Sequence, residues 1–352
     1  MVKQITIKGY KSFKEQTIQL TGLNILIGSN GAGKSNFLSF FELLGYAFEQ
    51  RLAPYVASRG GVDRLLFQGR KVTEQIYAQL SMENNSYGLI LQESDGKLIV
   101  AREILGYHND LQIINEFSPE AAIKYYSGMT RGTYIKSYLS QIRKFHFHDT
   151  GRRSPFASEC HVQNDAYMLY SHGENIAVIL YRILNESPLT YKRIVKVIQS
   201  IAPYFLDFFF SISEAGTMRL QWRDKYSEIV FGPNDLSDGT LRFIALVTLF
   251  MQPNLPSVVI IDEPELGLHP TAIQKLAGLM KSAEARGCQI IAATQSADLI
   301  SNFEPEDIIT VGLDDGQSKL ERLSNEGLSN WLREYTLGDL WKQSIVKGGQ
   351  PV

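Results

Sequence analysis

The chain has 352 residues, 44% of them hydrophobic and 20% charged, the make-up of a globular protein with a sizeable core in one large or two modest domains. With 35 basic against 37 acidic residues, the net charge of −2 excludes the overall footprint of a dedicated nucleic-acid binder, though not a local basic patch. Two distant cysteines, Cys160 and Cys288, exclude a disulfide framework or zinc spacing and fit a reducing cytoplasm, and the longest apolar run, near 244–251, is too short to cross a bilayer.

Residues 3–8 alternate polar and apolar in the manner of a strand rather than a signal peptide, and residues 15–20 do the same after a turn at 9–14. The apolar run 23–27 predicts a buried strand entering the glycine-rich loop 28–33. Residues 34–49 predict a helix with Phe37, Phe40, Leu43, Leu44 and Phe48 on one face. Alternating runs over 72–105, broken by Asn84-Asn85, Asp95-Gly96 and Gly106, predict an antiparallel meander. Residues 119–142 and 173–203 read as helices, with a strand-like piece at 143–150 between them. Two or three strands follow over 207–232, then an apolar helix at 241–251. The β-branched run 258–261 fits a parallel strand buried on both faces. A helix at 271–286, strands at 289–293, 308–311 and 319–323, and an aromatic-rich helical segment at 327–342 complete the chain. There is no internal repeat, low-complexity tract or sustained heptad pattern.

Gly28-Ser29-Asn30-Gly31-Ala32-Gly33-Lys34-Ser35 fills every fixed position of the P-loop pattern GxxxxGK[ST], with a strand before it and a helix after it. The glycines let successive backbone N–H groups turn toward a phosphate, and the helix N-terminus adds its positive dipole end. Lys34 can reach the β- and γ-phosphates of ATP, and Ser35 can give its hydroxyl to Mg²⁺. More than 200 residues later the strand Val258-Val259-Ile260-Ile261 ends in Asp262-Glu263. Asp262 suits the metal, and Glu263 suits a general base that polarises the attacking water.

Leu236-Ser237-Asp238-Gly239-Thr240, one helix before the acidic strand, resembles the LSGGQ signature of ABC-type ATPases. The resemblance implies that Ser237 and Gly239 complete the ATP site of a second subunit, so that two heads close on two nucleotides. Ile7-Lys8-Gly9-Tyr10-Lys11-Ser12-Phe13 resembles the opening of the RecF/SMC/OLD branch, with Lys11 either approaching the nucleotide or serving as a solvated turn lysine. Phe67-Gln68 falls at a plausible Q-loop position, which implies that Gln68 senses Mg²⁺ or the water. Glu265-Leu266-Gly267-Leu268-His269-Pro270 resembles the D-loop region of that branch. Ala293-Thr294-Gln295-Ser296 falls at the switch, with Gln295 where most relatives carry histidine. A glutamine bonds a phosphate or water but carries no proton charge, which suits slow, switch-like hydrolysis.

As a whole, including Phe145-His146-Phe147-His148-Asp149-Thr150 and the terminal Gly348-Gly349-Gln350-Pro351, the chain resembles the small stand-alone ATPases of the RecF/OLD-like group. The implied fold is α/β: an ABC-ATPase head with a P-loop parallel sheet, an N-terminal antiparallel β subdomain and a helical signature lobe. One head over 1–352 divides into an N-terminal β and P-loop part (1–110), an inserted lobe (111–235), a signature, acidic-strand and switch part (236–325) and a C-terminal aromatic segment (326–352). The missing heptads imply no coiled-coil arm, and the short tail after residue 323 implies no fused TOPRIM nuclease. Implied partners are a second copy or higher oligomer, joined by a separately encoded effector, a nuclease or toxin, in phage defence. A RecF-like head gripping duplex DNA is the competing expectation, and a transporter module is disfavoured; no membrane association is implied.

Three further signals have ordinary readings. His146, His148 and Asp149 fit a polar side opposite Phe145 and Phe147, with metal ligation the alternative. Two basic clusters, Arg143, Lys144, Arg152, Arg153 and Lys192, Arg193, Lys196, fit solvated faces, with phosphate contact the alternative. Trp331, Leu332, Tyr335, Leu337, Leu340 and Trp341 fit a core cap, with partner docking the alternative.

Overall fold

The computed structural model describes residues 1–108, 110–128, 130–326 and 328–346. The terminal motif at 348–351 lies outside them. Strands β1 (Gln4–Tyr10) and β2 (Phe13–Gln19) form a hairpin, and β3 (Leu23–Ile27) is buried at every position. Helix α1 (Lys34–Phe48) follows the glycine-rich loop, then α2 (Leu52–Ser58). The meander is β4 (Gln75–Ser81), β5 (Asn85–Ser94), β6 (Lys97–Tyr107) and β7 (Asp110–Ser118). Next come α3 (Thr130–Leu139), β8 (Ile142–Phe145), β9 (Cys160–His161), α4 (Ile176–Glu186) and α5 (Pro188–Gln199). Four short strands follow: β10 (Phe205–Phe208), β11 (Thr217–Met218), β12 (Trp222–Asp224) and β13 (Val230–Phe231). The last third holds α6 (Asp238–Met251), β14 (Val258–Asp262), α7 (Pro270–Glu284), β15 (Gln289–Thr294), α8 (Ala297–Ile300), β16 (Ile308–Asp314), β17 (Gln317–Arg322) and α9 (Leu337–Lys342).

The structure departs from the sequence pattern in several places, with four short strands where two or three were expected over 207–232. The meander has a fourth strand, β7, whose alternation is broken where the β6–β7 register shifts between Glu103 and Ile104. The helical stretch expected at 119–142 contains only a 3-10 turn (Ile123–Tyr125) and α3. The strand expected over 143–150 stops at Phe145. The helix expected over 173–203 is two helices, because Pro188 cannot donate a backbone hydrogen bond and starts α5 afresh.

The chain forms two compact units. Unit 1 takes residues 1–143, 257–260 and those from 289 onward; unit 2 takes 144–256 and 261–288. Unit 1 contains an antiparallel sheet in the order β2-β1-β4-β5-β6-β7 and a mixed sheet in the order β17-β16-β3-β15-β14-β8. Strands β14 and β8 enter the mixed sheet through 258–260 and 142–143. Within it β3 pairs in parallel with β15 and β16, and β17 turns back antiparallel to β16. One apolar core joins both sheets to α1. There Phe37 meets Phe13 and Phe41 edge to face, at ring separations of 6.2 and 5.5 Å, and Phe40 meets Tyr10 at 5.6 Å. Edge contact places a positive ring rim against a negative face, so these pairs orient α1 as well as bury it.

Unit 2 packs α4 on α5, α5 on α6 and α6 on α7. Its small sheet, β10-β12-β13, is held by Trp222, which stacks on Phe205 at 5.8 Å and on Phe231 at 5.0 Å and donates its indole N–H to Gly232 O at 2.9 Å. The indole thereby buries its apolar body without orphaning its one donor.

Candidate nucleotide site

In unit 1, β3 runs directly into the glycine-rich loop. Gly31 and Gly33 take left-handed backbone at φ +79° and +115°, where side-chain-bearing residues are strained. A Cβ on Gly33 would also stand 2.1 Å from the Ser318 hydroxyl, and one on Gly28 would stand 2.2 Å from Val311 O. The Lys34 side chain folds back into the loop and donates to Gly28 O at 2.7 Å and Ser29 O at 3.0 Å. Helix α1 opens with neither a side-chain cap nor an acidic residue in its first turn. Uncapped N–H groups, the dipole end and an enclosed ammonium together fit a bound phosphate chain. Gln295 follows β15, whose Thr294 is in register with Ile27 of β3, so the switch residue leaves the sheet beside Gly28. Ser296 then caps α8, accepting from Leu299 N at 3.2 Å.

A cleft of about 700 Å³ opens in the same unit, lined by Lys11, Ser12, Asn36, Arg59, Arg64 and Gln68 among others. Two non-glycine residues of its wall, Lys11 and Gln68, have positive φ, +48° and +55°. Both strained turns are pinned to each other, with Lys11 N donating to Leu65 O at 2.8 Å and Phe67 N to Gly9 O at 3.0 Å. Lys11 Nζ donates to Ser39 Oγ at 2.7 Å, and Asn36, next to Ser35, donates to Ser12 Oγ at 2.9 Å. The structure thus groups Gln68 with Lys11.

In unit 2, β14 ends at Asp262, and Glu263 stands at the corner of a turn with φ +42°. Such a backbone costs on the order of 1 kcal/mol and is concentrated at functional positions. Two residues stand against this corner, Arg242, which sequence reasoning missed, and His148, which it read only as part of a polar side or a metal set. His148 places Nε2 3.0 Å from Asp262 O. Arg242, from α6, donates to Phe147 O, His148 O and Leu266 O at 3.3, 2.8 and 3.0 Å. Both line a crevice of about 10 Å³ beside Asp262 and Glu263, roughly the room of one water. The alternation of Phe and His at 145–148 was a visible signal for His148; a lone cation in the apolar stretch 241–251 was one for Arg242.

His146 stacks near His148, at 4.2 Å between rings, and near His172 at 5.8 Å. Burial first, then the neighbouring His148, His172 and Lys144, holds the His146 imidazole below its ordinary value, against the opposing pull of Asp262. Among the described residues no three His, Cys, Asp or Glu side chains converge as a metal site.

The signature residues open α6. Ser237 is its N-cap, accepting from Thr240 N at 3.2 Å, and both Ser237 and Asp238 are exposed. A Cβ on Gly239 would stand 2.4 Å from Gly267 O, so the signature turn and the turn after the acidic strand are in backbone contact. The C-terminal aromatic set divides: Leu337 and Leu340 are buried, while Trp331 and Tyr335 are exposed.

Residues 122–301, just over half of the chain, match the family described as "AAA domain, putative AbiEii toxin, Type IV TA system". The chain belongs to that family. Residues 1–152 also match the family described as "AAA ATPase domain". It is 28% identical over 139 residues to the energy-coupling factor transporter ATP-binding protein EcfA2 of Lactobacillus delbrueckii, covering 38% of this chain and 47% of that protein. It is 27% identical over 194 residues to the DNA replication and repair protein RecF of Halothermothrix orenii, covering 52% and 51%. The chain therefore spans about half the length of these two relatives. An ATP/GTP phosphatase of Helicobacter pylori is 24% identical over 307 residues, 76% of this chain and 77% of that one. Among solved structures, an Smc head bound to the C-winged helix domain of ScpA superposes with a TM-score of 0.58 at 16% identity, over 94% of this chain and 99% of that one. An Smc head of Pyrococcus furiosus with an extended coiled coil gives 0.55 at 16%, over 95% and 98%. This family member has the Smc-head fold. Among the described residues no helix is long and apolar enough to cross a membrane.

Proposed function

We propose that the chain is an Mg-ATP-dependent head that pairs with a second copy and gates a separately encoded effector, a nuclease or toxin, in antiviral defence. The observation that carries the pairing is the start of α6. It is a helix N-terminus capped by the exposed Ser237, an end whose dipole favours an anion. A second copy's triphosphate is the anion it suits, and a symmetric pair completes two sites at once.

On this reading the loop 28–35 cradles the triphosphate, with Lys34 on the β- and γ-phosphates and Lys11 approaching from the adjoining cleft. Ser35 of unit 1 and Asp262 of unit 2 would each offer the kind of hard oxygen ligand that Mg²⁺ prefers. Mg²⁺, when bound, neutralises charge developing on the phosphates. Glu263 takes the proton of the attacking water. Gln295 bonds phosphate or water without carrying a proton charge, which supports slow turnover. Gln68, grouped with Lys11, senses the nucleotide from the cleft; His148 occupies the place beside Asp262 and orients it through its carbonyl.

The test is the native mass of Glu263→Gln co-expressed with the product of its neighbouring gene, with and without Mg-ATP. A hetero-complex that forms or rearranges on ATP is expected. An ATP-driven homodimer that ignores the neighbour overturns the effector reading. It would favour a second reading, a RecF-like head on duplex DNA, which the RecF match and the cations Lys11, Arg59 and Arg64 around the cleft support. That reading requires DNA-stimulated ATP hydrolysis.

A further inference from the structure

The signature sequence and the turn after the acidic strand lie more than 20 residues apart, yet in unit 2 one side chain holds both. We propose that Arg242 is a positioning residue for ATP turnover. It clamps the signature helix α6, the turn 263–268 and residues 147–148 into a fixed register, so that Glu263 is placed by the same element that senses the partner's nucleotide.

The guanidinium donates three hydrogen bonds to three carbonyls from two separate stretches of chain, Phe147 O and His148 O on one and Leu266 O on the other. Its planar fork satisfies such a set without reorientation; a lysine ammonium, a point charge on a flexible stem, cannot bridge all three in that plane. Each end of the clamp leads to the acid pair. Through His148 it reaches Asp262, whose carbonyl lies 3.0 Å from Nε2. Through Leu266 it reaches Glu263 itself, because Leu266 N donates to Glu263 O at 3.2 Å and closes the turn at that strained corner.

One glycine, Gly267, makes room for it, and a second, Gly239, lets α6 approach that glycine. Gly267, at φ +75°, would carry a Cβ 2.6 Å from Arg242 Nη1, and Gly239 would carry one 2.4 Å from Gly267 O. Signature glycine, D-loop glycine and arginine therefore interlock at contact distance. The close approach of Gly239 to Gly267, with no room for a side chain at either, couples a shift of α6 to the turn 263–268 when the N-terminus of α6 takes up an anion. An arginine that merely satisfied loop carbonyls would need neither glycine.

This inference rests on the hydrolytic reading above, so its test has one readout independent of turnover. In Arg242→Met and Arg242→Lys, amide hydrogen exchange at Leu266 and Leu268 is expected to accelerate at least tenfold while α4 and α5 stay protected. Turnover is expected to fall 10- to 100-fold with KM for ATP within threefold. Glu263→Gln added to Arg242→Met is expected to cost less than it does alone, because a misplaced base has little left to lose. Gly267→Ala, which keeps the arginine but displaces it, is expected to reproduce the exchange and rate changes. Unchanged exchange in Arg242→Met, or faster exchange with turnover intact, overturns the proposal. If Arg242→Met fails to fold, Gly267→Ala decides by the same two readouts. Failure of the hydrolytic reading would show separately, as wild-type protein that does not hydrolyse ATP; the exchange readout would still judge the clamp.

Discussion

At the residue scale, titration separates side chains whose chemistry the fold has tuned from those it has silenced. The His146 imidazole is held below its ordinary value by burial and by cationic neighbours. The unfolded chain therefore takes up this proton before the folded one as pH falls. Stability is unpenalised above the ordinary histidine value of about 6.5 and declines as pH drops through it, levelling off below the depressed folded value. Denaturant midpoints measured from pH 7.5 to 5 are expected to slope downward, and His146→Gln to flatten that slope. A slope unchanged in His146→Gln would place the acid sensitivity elsewhere. Cys160 is the silenced case. Its thiol is pushed up to about 11, by burial first and then by Asp165 and Glu174. At pH 8 its alkylation by iodoacetamide is expected to run on the order of a hundredfold slower than that of a free thiol, in line with its thiolate fraction. Mass spectrometry of the time course reads this directly, and modification at the free-thiol rate would contradict the burial argument.

At the element scale, the glycine-rich loop contains an internal control. Gly31 and Gly33 both have positive φ, but a Cβ on Gly31 meets nothing within 4 Å while one on Gly33 meets the Ser318 hydroxyl. Gly31→Ala is expected to cost only backbone strain, about 1–2 kcal/mol, and to lower ATP affinity by about tenfold. Gly33→Ala adds overpacking of about 1–3 kcal/mol and is expected to lower affinity by a further one to two orders of magnitude. Calorimetric titration of both variants with Mg-ATP tests the order; equal losses would mean that the Ser318 contact does not shape the loop. The elements around this loop are also the ones most legible in the sequence. Strands β3, β14 and β15 stand out because a strand buried on both faces is mostly apolar along its length, and α1 because its phenylalanines recur at helical spacing. Strand β7 does not, since the register shift leaves Ile114 as an extra residue that breaks its alternation and no position in it is fully buried. The P-loop, Asp262 and Glu263 can be named from spacing alone. The places of His148 and Arg242 cannot, because each acts through backbone carbonyls brought near only by folding, and a carbonyl leaves no mark in a sequence.

At the scale of the whole molecule, the proposed pairing makes a demand that no single chain can meet. If Ser237 serves the nucleotide held by the other copy, a defect in the loop and a defect in the signature must complement each other. Lys34→Ala removes the ammonium from the phosphates and is expected to abolish ATP binding in its own chain. Ser237→Arg puts a bulky cation on the N-cap of α6 and is expected to block turnover while its own loop still binds ATP. Mixed in equal amounts, half of the dimers combine one chain of each kind, and each such dimer holds one sound loop facing one sound signature. Turnover of about a quarter of the wild-type value is therefore expected from two inactive proteins, given a symmetric pair with exchanging subunits. A phosphate-release assay across mixing ratios should trace a maximum at equal amounts. Full activity of Ser237→Arg by itself would exclude completion in trans, since a chain that needs no partner signature is not harmed by spoiling the one it offers.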